Sequence, residues 1–340
     1  MKKIFAIAAA CAALVGCVKN DVDFSGNYAQ GERIDFATVS GLQTDGRAAY
    51  TSHDHFVAAA FLLNEGETWA GAHTTAGQYF ANQRVEERSL GGETVWTTST
   101  AYYWPAKGSL TFFAYAPEGI SATRTWDANR NYVFADFSVE TNKNVDFMVA
   151  DIVKEAKGNP VNTVFRHKLT QIKVGITKAS DDVRTITLTQ VKLNGVYHTG
   201  TYTMPYNHVH GTSGVNDYWT VAAGPSSESC VLFDGITDPA DAITVTDVTA
   251  AVPLEHMYVI PQAFTSASQL EVTYTVESGS ATETVNVKIS LHDLDTVDQR
   301  WGINESISYN LTIGDVEQII WAPTEEGWDE SSENSYTIEI

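Results

Sequence analysis

Histidines are the side chains of this sequence best suited to bind a metal, and His198, His208 and His210 form the best candidate group. Imidazole is a common zinc ligand, and two residues that are two positions apart in a strand face the same side. No Cys or carboxylate stands at ligand spacing beside these histidines, however, and Pro205 and Gly211 predict a turn there. We therefore expect no metal site, and nothing else in the sequence indicates a cofactor.

The sequence also lacks the motifs of the common catalytic sites. It contains no Gly-x-Ser-x-Gly, His-Glu-x-x-His, Gly-x-Gly-x-x-Gly or P-loop motif. Its carboxylates are spread through loops and the C-terminal tail, where charge usually faces solvent. Cys230 begins an apolar run, which is typical of a buried thiol and not of a nucleophile. We therefore expect that the protein is not an enzyme.

One cysteine does stand in a chemical motif, at the end of an apolar N-terminal segment. Lys2 and Lys3 precede the run 4–15, which is too short to span a bilayer, and Leu14-Val15-Gly16-Cys17 resembles a bacterial lipobox. The resemblance implies that residues 1–16 are a lipoprotein signal peptide and that Cys17 is acylated, with palmitate among the chains. Each buried methylene adds about 0.8 kcal/mol, so the lipid would hold the protein on a membrane. An ordinary signal peptide is the alternative.

Composition narrows the class of protein further. The formal net charge of −21 opposes binding to nucleic acid or to an anionic membrane surface. Hydrophobic residues make up 43% of the 340 residues, enough for real cores, and the aromatic share of 11% favours strands. The length allows two domains of ordinary size.

Short strand candidates separated by turn residues follow one another along the chain. The clearest hairpin joins 270–276 to 285–291 across a loop with Gly279, and both arms alternate between apolar and polar residues. Within 186–193 the apolar residues change phase, which predicts a bulge. Residues 149–157 are the one candidate for a short helix. Antiparallel strands with one wet face favour β-sandwiches, and Asn159-Pro160 is the best boundary between two of them.

Aromatic residues are concentrated in 102–105 and 110–117. Exposed rings there would form a platform for stacking sugars, and this suggests a surface-anchored glycan-binding lipoprotein as an alternative function. Alternation within the second segment instead assigns about half of its residues to a core.

Several stretches together resemble the fimbrillin family of Bacteroidetes lipoproteins, the subunits of the type V pilus. They are 103–105 with 110–117, 145–150, 164–169, 257–262, and 301–311 with Trp321. The resemblance implies an all-β fold with two transthyretin-like antiparallel β-sandwich (Greek-key) domains in tandem, at 48–158 and 159–340. It also implies a surface-exposed lipoprotein of the outer membrane that enters a fimbrium after processing. The sequence does not separate stalk, anchor and tip roles.

The resemblance further implies assembly by strand exchange. A trypsin-like, Arg-specific protease would remove the lipidated tether and first strand, 17–47, and a C-terminal strand of another pilus subunit would fill the groove. Unpaired strand edges and an exposed core favour such an addition. A host or glycan ligand is a further partner that an adhesive subunit would have.

Particular residues suit the cleavage step. Ile34, Phe36 and Val39 give the removable strand its apolar positions, and Arg47 directly follows the glycine-containing break 41–46 after that strand. Arg33 is the alternative cleavage site, although a cut there would leave the strand in place. An ordinary loop arginine remains the other interpretation of Arg47.

The end of the chain suits the donor step. Residues 335–340 include Tyr336, Ile338 and Ile340, which alternate with polar residues up to the last position. A free alternating segment of this kind is what strand addition requires. The alternative is that this segment pairs within its own subunit.

Overall fold

The computed structural model describes residues 31–40, 48–49, 54–142, 144–179, 184–208, 218–221, 229–246, 252–254, 256–294, 299–313, 319–327 and 333–335. Within these ranges nearly all regular structure is β. The helices are single turns: α1 (Trp69–Ala72), α2 (Val139–Asn142), α3 (Leu291–Leu294) and a 3-10 turn at Pro239–Asp241. None of the helices in this part of the chain has the length and apolar character of a membrane span.

The strands fall into two groups along the chain. The first group is β1 (Phe36–Ser40), β2 (Ala48–Ala49), β3 (His55–Leu63), β4 (Gly77–Leu90), β5 (Glu93–Thr98), β6 (Ser109–Ala116), β7 (Thr123–Trp126), β8 (Tyr132–Ser138), β9 (Met148–Ala150), β10 (Val153–Ala156) and β11 (Val161–His167). The second group is β12 (Thr170–Lys178), β13 (Thr185–Asn194), β14 (Thr199–Met204), β15 (Trp219–Val221), β16 (Cys230–Asp234), β17 (Ile243–Val245), β18 (Val252–Pro253), β19 (Met257–Val259), β20 (Gln262–Ala263), β21 (Gln269–Ser278), β22 (Ala281–Ser290), β23 (Arg300–Trp301), β24 (Glu305–Ile313), β25 (Ile319–Gly327) and β26 (Glu333–Ser335).

The largest sheet closes on itself. Its pairings run β6, β3, β4, β5, β1, β11, β9, and β9 pairs again with β6. Alternate residues of these strands face the inside of the ring, where Phe56, Phe112 and Phe165 belong to one apolar core. A closed sheet satisfies the backbone groups that an open edge would leave unpaired, so removing any strand of the ring exposes two edges.

β3 and β6 are buried on both faces. All eight residues of β6 are buried, with Phe112 in the core of the ring and Phe113 and Tyr115 in a second core. The prediction that about half of this segment is core was therefore too low. A second layer covers the outer face of the ring here, and a sequence pattern does not reveal that layer.

The second core lies among the remaining sheets. One sheet has the order β18, β12, β24, β25, β26, with β19 also on β12; another has β16, β13, β21, β22, with β17 also on β13. A third, β15, β14, β8, β7, joins strands from both halves of the chain. Together these sheets bury apolar side chains from both halves in one continuous cluster.

Two local predictions are confirmed. β21 and β22 form the expected hairpin, with Tyr274 opposite Val285 and Gly279 at φ +64° in the turn. In β13 the register with β21 shifts between Leu188 and Gln190, so Leu188 and Val191 both reach the core despite their odd spacing.

Other predictions need correction. Residues 149–157 are not a helix but contribute to β9 and β10, because Val149 pairs with both Arg166 and Tyr115 and sheet contacts outweigh local propensity. Most strand pairs are antiparallel as expected, but β1 with β11 and β12 with β24 run parallel. Long stretches of chain separate these partners, so no tight turn imposes the antiparallel direction.

The all-β class is confirmed, whereas two tandem transthyretin-like sandwiches stay a prediction. The division at residue 159 also stays a prediction. Strand pairing does not change there, since β11 still belongs to the closed sheet and β12 is the first strand of the next one.

Candidate strand-acceptor site

The first-strand segment, residues 31–40, fills a position inside the closed sheet. Ile34 and Phe36 alternate with polar residues and are 2% and 5% exposed. The Phe36 ring packs edge-on against Phe56 and Phe112, with centroids 5.5 and 5.7 Å apart. The alternating pattern thus directs two side chains into the core of the ring. The side chain of Val39, the third apolar position of the predicted removable strand, lies outside the described residues.

Main-chain pairing holds this segment along its length. β1 runs parallel to β11 from Phe36 opposite Val161 to Ser40 opposite Phe165, and it meets β5 where Phe36 lies opposite Trp96. Its end pairs with β2, where Val39 lies opposite Ala49. We call the space between β5 and β11 that β1 occupies the acceptor groove.

The residues before β1 add a second pairing. The Ile34 N–H donates to the carbonyl of Tyr102 at 2.9 Å, and the Trp104 N–H donates to the carbonyl of Glu32 at 2.9 Å. Gly31 lies close to the Trp104 carbonyl, where an added Cβ would stand 2.3 Å from the oxygen. A residue with a side chain would therefore clash there.

Polar side chains of the groove also contact the main chain of the segment. Asn159 accepts from the Asp35 N–H at 2.9 Å and donates to the Arg33 carbonyl. Thr97 and Thr163 donate to the carbonyls of Ile34 and Ala37, each at 3.0 Å. Sequence reasoning missed all three of these side chains as site residues. Nothing in the local pattern marks them, since Asn159 reads only as a boundary residue.

Buried ionic contacts fix the wall of the groove that β11 forms. Arg166, 5% exposed, donates through Nε and Nη2 to Asp151, with the shortest distance 2.9 Å. Burial alone would raise the pKa of the Asp151 carboxyl, but contacts with His208 and Arg166 hold that pKa well below its usual range. His167 pairs with Asp146 at 2.7 Å. The stretches 145–150 and 164–169 are therefore neighbours in space.

Of the two candidate cleavage sites, Arg33 lies within the described residues. Arg33 is half-buried, contacts the Thr97 hydroxyl at 3.2 Å and the Thr98 carbonyl, and pairs with Tyr103. Arg47 lies outside the described residues, in 41–47, which connects β1 to β2. A cut after Arg47 would make Ala48, the first residue of β2, the new N-terminus.

The other predicted site residues lie outside the described ranges. Cys17 precedes the first described residue, and Tyr336, Ile338 and Ile340 follow β26. Within the described part of the chain, β26 is the last strand of its sheet and pairs on one side, with β25. The predicted donor segment thus begins directly after a strand at a sheet edge.

Two of the three candidate histidines, His198 and His208, are described, and they have different neighbours. His208 contacts the Tyr218 hydroxyl at 2.6 Å, and His198 lies 3.9 Å from Glu140, on another part of the fold. His210 lies outside the described residues. Among those that are described, no group of His, Cys, Asp or Glu has a geometry that would hold a metal ion.

The aromatic segments do not form a stacking platform. Phe112, Phe113 and Tyr115 are buried, and Trp104 is 6% exposed with its indole N–H on Asn159. Tyr103 is the exposed ring of this group, at 45%. The residues that suggested glycan binding are therefore mostly core residues.

The fold and the site define an all-β protein whose first strand is inserted into a closed sheet and held from both sides. The sequence matches the fimbrillin-like family model over residues 61–328, more than half of the chain, and the protein belongs to this family. The predicted resemblance is thereby confirmed. Family membership associates the protein with fimbriae and adhesion at the cell surface. No curated protein matches the sequence significantly.

Solved structures agree with this fold. A fimbrial protein from Bacteroides vulgatus superposes with a TM-score of 0.64 at 17% identity, covering 88% of this chain and 100% of its own. A candidate cell adhesion protein from Bacteroides uniformis gives a TM-score of 0.54 at 20% identity, covering 87% and 98%. At these identities the similarity establishes the fold alone.

Proposed function

We propose that the protein is a structural or adhesive subunit of a cell-surface pilus that polymerises by strand exchange. The observation that supports this most directly is the position of β1. It fills a place in a closed sheet, yet only residues 41–47, which contain Arg47, connect it to the rest of the chain. One peptide-bond cleavage therefore suffices to break the covalent link between the segment and the strands that follow it, after which only non-covalent contacts hold it in the sheet.

Energetics favour refilling of the emptied groove. Burying Ile34 and Phe36 stabilises the ring by roughly 1.5–3 kcal/mol for each side chain, and each hydrogen bond to the segment adds about 0.5–1.5 kcal/mol. Loss of β1 would expose both the core and the backbone edges of β5 and β11. An extended segment with alternating apolar residues would restore both kinds of contact.

The predicted donor is the C-terminal segment 336–340 of another subunit. Tyr336, Ile338 and Ile340 have the same two-residue spacing as Ile34 and Phe36. The segment follows β26 at the edge of its sheet, so leaving its own subunit would not break the middle of a sheet. A chain of subunits results if each donates one end and accepts another.

Export and anchoring complete the proposal. Cys17 would carry the lipid that holds the precursor on the outer membrane, and cleavage after Arg47 by a trypsin-like protease would release the subunit into the fimbrium. In this role the protein works by binding and not by catalysis. No described feature favours glycan binding as a separate function.

Cleavage by an Arg-specific protease tests the proposal, with Arg33→Ala as the matched control for Arg47→Ala. We expect intact mass to show release of residues up to 47 from the wild type and R33A, followed by SDS-resistant oligomers. R47A should stay a full-length monomer. Normal processing and assembly of R47A would refute the cleavage site.

A second variant tests the donor. A chain that ends at Ser335 should be cut like the wild type but should not polymerise, because it lacks Tyr336, Ile338 and Ile340. Oligomers of normal length from this truncated chain would show that another segment fills the groove.

A further inference from the structure

The groove contacts the main chain of the first-strand segment at seven polar groups from 32 to 37. Five carbonyl oxygens of the segment accept hydrogen bonds. Main-chain N–H groups donate to two of them, Trp104 to the carbonyl of residue 32 and Val161 to that of residue 35. Side chains donate to the other three: Asn159 to the carbonyl of residue 33, Thr97 to that of residue 34 and Thr163 to that of residue 37. The N–H groups of residues 34 and 35 donate to Tyr102 and Asn159. Three of these partners are side chains, where a simple sheet would use only neighbouring backbone.

Asn159 explains why a side chain is needed at one point. Its neighbour Pro160 has no N–H, so the edge of β11 lacks a donor just before Val161. The Asn159 amide supplies that donor to the carbonyl of residue 33 and accepts from the N–H of residue 35. These two groups flank Ile34 on the same edge, so the amide makes the bonds that a neighbouring strand would make. The Trp104 indole N–H donates at 2.8 Å to the Asn159 Oδ1, the atom that also accepts from residue 35, and so orients the amide.

We propose that Asn159, Thr97 and Thr163 form a main-chain clamp that accepts an extended strand mainly by its backbone, with the Arg33 side chain as an additional contact to Thr97 and Thr98. The proposal rests on the proposed strand exchange. Thr97 and Thr163 are 0% and 1% exposed with β1 in place, so water does not compete for their hydroxyls in the filled groove. Such a site binds a class of ligand: an extended peptide with two apolar side chains two positions apart.

The side chains of the segment fit this division of roles. Ile34 and Phe36 enter the core, whereas Arg33, Asp35 and Ala37 between and around them are half-buried. The predicted donor shares the apolar spacing but not the other residues, since Ile338-Glu339-Ile340 would replace Ile34-Asp35-Phe36. A clamp that reads main chain tolerates that change, whereas one that reads outward side chains would not.

The test uses the chain from residue 18 with 41–47 replaced by a seven-residue site for a specific endoprotease. After cutting, the nicked complex still holds its own first strand. A fluorescent peptide of residues 31–40 then competes with that strand. Native mass spectrometry follows the exchange, started once from the nicked complex and once from the complex with the peptide, until both mixtures reach the same equilibrium.

Three peptides separate backbone from side-chain recognition. An ester in place of the amide at Asp35 removes one N–H donor and should weaken binding roughly three- to tenfold, the range for one hydrogen bond. Changing Glu32→Ala and Ala37→Ser together should alter binding less than about threefold, since Glu32 is exposed, Ala37→Ser adds one small hydroxyl, and surface substitutions have small effects. Phe36→Ala should abolish measurable exchange.

Protein variants test the clamp itself. Thr163→Val keeps the shape but removes the hydroxyl, and we expect weaker peptide binding, which Thr163→Ser should restore. Asn159→Ala should weaken binding more, because it removes two contacts. Thr111→Val is the control, since Thr111 is buried on β6 and its hydroxyl contacts the Glu155 N–H and not the segment. If N159A does not fold, the comparison of T163V with T163S still tests the clamp.

Each outcome is decisive. Equal binding of the ester peptide, or of the wild-type peptide to T163V and N159A, would overturn the clamp but leave strand exchange intact. Loss of binding on changing the outward side chains would also overturn the clamp, in favour of sequence-specific recognition. Failure of the unmodified peptide to exchange at equilibrium would overturn the clamp and the proposed function together.

Discussion

Phe36→Ala should loosen the first strand without damaging the rest of the fold. Phe36 is 5% exposed and contacts Phe56 and Phe112 edge-on, so truncation removes a fully packed ring from the core of the closed sheet. Comparable Phe→Ala changes cost about 3–5 kcal/mol. Because 1.4 kcal/mol is a factor of ten, opening of β1 should become more frequent by at least about two orders of magnitude.

Hydrogen exchange followed by mass spectrometry measures this opening. In F36A, protection should fall mainly in 31–40 and in the facing backbone of β11. Phe80→Ala is the matched control, because Phe80 is equally exposed, at 5%, and belongs to the same core but lies on β4. F80A should lower the free energy of global unfolding in guanidinium both before and after residues up to 47 are removed.

Two results would refute this reasoning. A loss of stability below about 1 kcal/mol in F36A would mean that the ring is not packed as described, since a buried Phe should contribute more. Equal loss of protection throughout both cores would mean that β1 does not open separately from the rest of the protein.

Two further predictions concern charge. Burial raises the pKa of Asp35, while Arg33 opposes that shift, so ionised Asp35 disfavours the seated strand; D35N should therefore slow strand exchange at pH 7. The difference from the wild type should shrink as the pH falls through the raised pKa of the seated Asp35, and it should be lost below the ordinary value of about 4, where the carboxyl is protonated in both states. Burial opposes ionisation of Asp151, but His208 and Arg166 lower its pKa, so its contribution to stability is present at neutral pH and is lost in acid below about pH 4. Arg166→Met should cost about 3 kcal/mol at pH 7, the lower end of the range for a broken buried ion pair, because the Asp151 side chain is 28% exposed. The change should also flatten that acid dependence, measured by guanidinium unfolding at several pH values, and a pH profile parallel to that of the wild type would contradict the assignment.

β13 shows a feature that neighbouring residues determine, and β6 shows one that depends on distant parts of the chain. The odd spacing of Leu188 and Val191 predicted a bulge, because a strand must skip one residue to keep both side chains on one face. No pattern in Phe112, Phe113 and Tyr115 predicted burial on both faces, since that depends on a second layer from elsewhere in the chain.

The sequence by itself determined the all-β class, the β21–β22 hairpin and the inward positions of Ile34 and Phe36. All of these follow from the two-residue period of a strand, which is a property of neighbouring residues. Only the tertiary structure decided that β1 runs parallel to β11 and that Asn159 contacts the backbone at residues 33 and 35. These groups lie 126 and 124 positions apart in the chain, and closure of the sheet brings them together. Contacts over such distances depend on which strands become neighbours, and local periodicity does not specify that.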